Sequence, residues 1–315
     1  HPARAGRRAT QRLMNRSPQR YYKLALLALA LVCLAGVSRF QLALNRQREN
    51  PQLGLLRVAD LGSNAPPALA FTTVALGGFR GLIANALWMR AQDLQNEGKF
   101  FEMVQLADWI TKLEPTFNQV WVVQAWNMTY NISVKFNDPA DRWRWVQRGI
   151  ELLRDQGLRY CPKEALIYRE LAWFYQHKIG QNLDDAHLYY KTELAKDMEA
   201  LLGGPRPNFD ELLKPQTDAA RERVQRLRET RRMEPEIMKQ VDEQFGPLEW
   251  RLPDAHAIYW AWVGLQNAKK KDLLTLRRVI YQSMSQSVIR GRLFSVNPLR
   301  YGPDLDKVDR ANAAY

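Results

Sequence analysis

Between Pro162 and Tyr190 the chain reads PKEALIYRELAWFYQHKIGQNLDDAHLYY, and the spacing of its large and small residues leaves few folds open. Tyr168, Leu171, Ala172 and Tyr175 lie on one face of a helix, and Ala172 is small enough to let a second helix approach. That helix is expected at once. Asp184 and Asp185 supply carboxylates suited to a helix N-terminus, and Ala186, Tyr189 and Tyr190 fall on its inner face. The stretch predicts two helices clasped against each other over 164–202.

The pattern recurs upstream. Gly98 marks a turn, Ala107 and Ile110 follow at helical spacing, and Glu114-Pro115 closes that segment. Trp121 and Ala125 then repeat the large-then-small pair that Tyr168 and Ala172 make, and Pro162 ends a helix running from about Asp138 through Trp145, Ile150 and Leu153. Three pairs stand in register, at 81–115, 118–162 and 164–202. This order of large residue, small residue, aromatic, short turn and terminal proline resembles the tetratricopeptide repeat. The chain departs from it where Leu87, with Trp88 beside it, stands in place of the opening Trp, and where the second pair is stretched by a loop at Asn137 and Asp138.

The resemblance implies an all-α, right-handed solenoid of helical hairpins, in which the first helix of each pair lines a concave groove for a protein partner. One groove-facing place lies five residues beyond the opening large residue. That place is Trp126 after Trp121 and Trp173 after Tyr168; Trp88 takes another in the first pair, and Gln92 and Arg169 complete the candidate partner-binding set. Indoles exposed there would form a row of stacking platforms for an extended peptide or a partner helix. The opposing expectation is that these indoles turn inward as core, as aromatic stripes at helical spacing commonly do.

The N-terminus carries a different signal. Seven basic residues, Arg4, Arg7, Arg8, Arg12, Arg16, Arg20 and Lys23, precede the uncharged run Leu24–Ser38. That run counts as a membrane span only if Tyr21, Tyr22, Phe40, Leu42 and Leu44 extend it while Lys23 and Arg39 snorkel to the interfaces. A cleavable signal peptide, with a poor cleavage site at Cys33-Leu34-Ala35, is the alternative. The retained span predicts a basic cytoplasmic tail at 1–20 drawn to anionic lipid, an anchor at 21–44 and a body on the outer face of a bacterial-type cytoplasmic membrane.

The formal charge of +13 invites a nucleic-acid reading, but residues 1–50 hold ten Lys or Arg and one Glu, a net +9. The other 265 residues carry 13 − 9 = +4, so no specific nucleic-acid binding is expected of the body. Breakers from Pro51 to Gly78 make 45–80 a connector. Gly203-Gly204-Pro205 ends the third pair, and 203–253 reads as a charged helical insertion, with a solvated helix over Thr217–Arg232 and another from Pro235. Trp260 and Gly264 repeat the large-then-small pair in a fourth pair over 254–290, followed by a tail at 291–315. All ten tryptophans fall at Trp88–Trp173 or Trp250–Trp262, which suggests two folded blocks.

Catalytic chemistry is sparse. No phosphate-binding loop, dinucleotide fingerprint or nucleophile elbow occurs, and no cofactor or metal is expected. His177 and His187 could face each other across the third pair but lack a third ligand. His256, in Asp254-Ala-His256, reads as a local hydrogen-bonding group. The sequence therefore points to a non-catalytic scaffold or accessory subunit of a membrane protein complex. A soluble periplasmic binding module, or an enzyme built on these histidines, is the alternative.

Overall fold

A computed structural model describes residues 17–48, 80–269 and 273–296; among them every regular element is helical. The basic tail before Ser17, the connector from 49 to 79 and the C-terminal tail from 297 lie outside the described residues. The chain divides into two units, 1–86 and 87–315.

In the first unit, α1 (Ser17–Arg48) runs without interruption through Tyr21–Phe40. Those 20 residues are exposed and apolar. At 1.5 Å per residue they reach about 30 Å, so the helix is long and apolar enough to cross a membrane. Length and apolarity alone do not distinguish a retained span from a signal sequence.

α2 (Arg80–Asn96) carries the boundary between the units, and Gly98, at φ +70°, makes the turn into α3 (Phe100–Leu113). α4 (Asn118–Trp126) widens into a π-helical segment at Asn127–Ile132. Asp138, whose side chain accepts from the Ala140 amide, and Pro139 start α5 (Pro139–Glu151), which widens at Leu152–Gly157. α6 (Ala165–Trp173) widens in the same way at Phe174–Ile179 and is followed by α7 (His187–Leu202).

α4 and α6 open in the same way. Trp121 donates its indole N–H to the Pro115 carbonyl at 2.8 Å, and Tyr168 donates its hydroxyl to the Pro162 carbonyl at 2.9 Å. Each large residue thus reaches back six positions to the proline that precedes its helix. Both are buried, and Ala125 and Ala172 beside them are fully buried.

After α7, Gly203 at φ +78° stops the helix, and a residue with a Cβ would be strained there. The insertion then forms α8 (Phe209–Leu213), α9 (Asp218–Arg231) and α10 (Pro235–Phe245). α9 buries only Ala220, Val224 and Leu227, in keeping with a solvated helix. α11 (Pro253–Asn267) and α12 (Leu273–Val296) pack as a pair of helices.

That pair packs directly on α6. A Cβ on Gly264 would come within 2.7 Å of the Tyr168 Cβ and 2.9 Å of Leu276 Cδ1, so the glycine is what lets α11 approach both neighbours. Gln176, in the widened segment after α6, donates to Ser283 Oγ on α12 at 3.0 Å, and Lys269, just after α11, bridges to Glu164 at the start of α6 at 2.7 Å. The two tryptophan blocks accordingly share one continuous core, from Trp121 through Trp250 to Ile280, instead of forming two bodies. The expectation of two blocks failed because the insertion loops out and returns α11 to the face of α6.

Two local expectations also change. α7 opens at His187, because Asp184 is drawn inward: its carboxylate takes Lys178 at 2.6 Å, Arg142 at 3.0 Å, the Ala186 amide at 2.9 Å and the Tyr190 hydroxyl at 3.2 Å. Burial pushes this carboxyl up, but those bonds hold it below its ordinary value. His177 and His187 do not face each other, since His177 stacks on Trp173 and His187 meets Lys191 at 3.2 Å.

Candidate functional site

The widening of α4 and α6 begins at matching places. Trp126 is the last α-helical residue of one and Trp173 the last of the other, and each indole is covered by the aromatic residue four positions on. Trp126 stacks on Tyr130 with centroids 4.4 Å apart, and Trp173 on His177 at 4.5 Å. The Tyr130 hydroxyl lies 3.0 Å from His177 Nδ1 and so joins the two stacks into one four-ring shelf.

A buried carboxylate fastens the shelf from below. Trp126 donates its indole N–H to Glu170 Oε2 at 2.7 Å, and the Arg169 guanidinium pairs with the other oxygen. Glu170 is buried, whereas the Arg169 side chain is 39% exposed, so the cation stands at the rim. Phe174 closes the inner side, edge-on to both Trp126 and Tyr130. Lys178 places its ammonium 5.1 Å from the Tyr130 ring while bound to Asp184. Burial pulls the Lys178 ammonium down and pushes the Tyr130 phenol up; burial and the neighbouring Lys178 pull His177 down. The shelf therefore presents neutral rings at neutral pH with one cation at its edge.

Trp126, Arg169 and Trp173 are thus brought together. Trp126, Tyr130, Trp173 and His177 are half-buried, packed by one side against the core and open on the other, while Trp121 and Tyr168 are 2% and 4% exposed. Trp88 and Gln92 sit elsewhere: Trp88 tilts against Phe117 at 5.6 Å, Gln92 is exposed, and among the described residues no ring contact or hydrogen bond ties either to the shelf. Tyr130, Glu170 and His177 were not singled out for the site. The aromatic residues at i+4 from each tryptophan were the available signal.

A second polar centre lies where the insertion rejoins the body. Arg251, fully buried, bonds Glu249 at 3.0 Å and Glu199 at 2.6 Å. Trp250 donates to Asp242 at 2.9 Å, and its carbonyl accepts from His256 Nε2 at 3.0 Å. His256 is fully buried, stacked on Tyr175 at 4.9 Å, and burial pushes its imidazole down to about 3. Burial likewise raises the Glu249 carboxyl to about 7, against the pull of Arg251.

Compared with known proteins, the chain matches no family model, no curated protein and no solved structure.

Proposed function

We propose that this protein is a non-catalytic scaffold, built of tetratricopeptide-like helix pairs on an N-terminal membrane anchor, that holds a partner across the shelf of Trp126, Tyr130, Arg169 and Trp173. The partner is a subunit of a membrane complex at the outer face of a bacterial-type cytoplasmic membrane, contacted through an extended segment. The basic residues before the anchor bind anionic lipid on the other side. The observation that carries this reading is the contrast between two pairs of aromatic residues in equivalent places. Trp121 and Tyr168 are sealed in the core, while Trp126 and Trp173, five positions later, keep an open side. Partly exposed indoles beside an arginine are the composition of binding hot spots.

The test is a comparison of three variants of the full chain purified from membranes with what it holds. Trp173→Ala and Trp126→Ala should weaken retention of the same co-purifying protein by about 30-fold, equivalent to about 2 kcal/mol. Trp121→Ala should instead lower stability by roughly 3–5 kcal/mol and reduce retention only by the fraction unfolded. If retention in all three follows melting temperature, the shelf is core and the reading fails.

A further inference from the structure

α12 turns a basic, unpartnered face to the outside. Leu276, Val279, Ile280 and Ser283 point inward and are buried, which leaves Leu274, Arg277, Arg278 and Tyr281 together on the opposite face of the helix. Leu274 is 64% and Tyr281 74% exposed. Both arginines are exposed as well, and among the described residues neither makes an ion pair or a hydrogen bond. α12 itself contains four arginines and no Asp or Glu. The elements packed against it are α11 and α6, and their carboxylates are all engaged or sealed. Glu164 is bridged by Lys269 and accepts from Asn118, Glu170 is buried and held by Arg169 and Trp126, and Asp254 is fully buried. The widened segment Phe174–Ile179 contains no carboxylate. Over 269–296 the sequence has seven Lys or Arg against the single Asp272, 7 − 1 = +6.

We infer that this face of α12 docks on an anionic bilayer, with Leu274 and Tyr281 entering the headgroup layer and Arg277 and Arg278 meeting lipid phosphates. Three features select a lipid surface as the occupant. Leu274 and Tyr281 bracket the two arginines over about 10 Å of helix, at 1.5 Å per residue, and that pattern suits a boundary that is apolar on one side and anionic on the other. Guanidiniums with no carboxylate of their own are free to take phosphate oxygens in pairs. The body is also covalently tied to α1, the helix long enough to cross a membrane, so a bilayer holding α1 is the surface that α12 meets most often. This step rests on the anchor reading but not on the shelf.

Spin labels at Leu274→Cys and Tyr281→Cys, in a full chain with Cys33→Ser and Cys161→Ala, test it in reconstituted vesicles. Labels at Leu29→Cys and Glu222→Cys report on α1 and on the solvated helix α9. In vesicles containing phosphatidylglycerol, the labels at 274 and 281 should gain access to oxygen and lose access to a nickel chelate, while the label at 222 stays in water. The docked-to-free ratio should rise roughly 30-fold over phosphatidylcholine alone, about what two cations supply at an anionic surface. Arg277→Gln with Arg278→Gln should abolish the rise and leave the melting temperature unchanged, because both side chains are exposed. Labels at 274 and 281 that remain in water while Leu29 is in the bilayer refute the docking face alone. If Leu29 also stays in water, the anchor reading and the docking face fall together. Equal protection in both kinds of vesicle, or protection that depends on adding cell extract and not on lipid charge, overturns the proposal.

Discussion

Glu249 gives the sharpest pH prediction, because its carboxyl is buried while its ordinary value of 4.5 applies once the chain unfolds. In the folded protein it titrates at about 7. A raised carboxyl contributes stability that is complete below the unfolded value and is lost as pH rises through the folded one. The window is therefore pH 4.5 to 7, with the protein less stable on the alkaline side. At about 1.36 kcal/mol per pH unit, the interval, which already includes the attraction of Arg251, caps the loss at roughly 3 kcal/mol. Glu249→Gln keeps an acceptor for the Arg251 amide and Nε, which the carboxylate now holds at 3.0 Å each, and removes the titration. Denaturant unfolding of both proteins from pH 5 to pH 8.5 should show the difference in stability, variant minus native, growing with pH by about 2 kcal/mol. Taking the difference cancels His177 and His256, whose lowered imidazoles give the opposite slope. A difference that stays flat, or falls as pH rises, refutes the reasoning.

His256 supplies the opposite slope: its imidazole is pushed down to about 3, so its contribution is lost as pH falls from 6.5 toward that value, and His256→Phe should gain stability relative to the native protein as pH is lowered from 7 to 4 in thermal melts. Gly264→Val forces a side chain into Tyr168 and Leu276 and should destabilise the protein by about 1–3 kcal/mol in denaturant unfolding; an unchanged midpoint would mean that α11 does not approach α6 as closely as described.

Much of the helical organisation was legible because it is written in spacing. Tyr168 and Ala172, like Trp121 and Ala125, share a helix face by their spacing, and the small second residue leaves room for a neighbouring helix to bury both. Gly203 and Pro235 mark helix boundaries by backbone geometry alone, and both act as they read. Buried charge was not legible. Glu249 and Arg251 in a loop, or Asp184 before a helix, look solvated in sequence, and only the return of α11 onto α6 and the folding of Lys178 and Arg142 onto Asp184 bury them. The candidate shelf was half legible: register placed Trp126 and Trp173 in equivalent positions, but Glu170, which fastens Trp126 from the neighbouring helix, belongs to a contact 44 residues long that no local pattern carries.

The seating of α11 and α12 on α6 also sets an order of events during synthesis. The bonds from Gln176 to Ser283 and from Lys269 to Glu164 span 107 and 105 residues. At roughly 5–20 residues per second, a ribosome needs on the order of 5–20 s between making the two sides of this contact. For that interval the face of α6 that will receive Gly264 and Ser283 has no partner, while the insertion is still being made. The nascent third pair thus spends seconds with an open apolar flank, and truncated products ending before α12 would be exposed to chaperone capture and proteolysis.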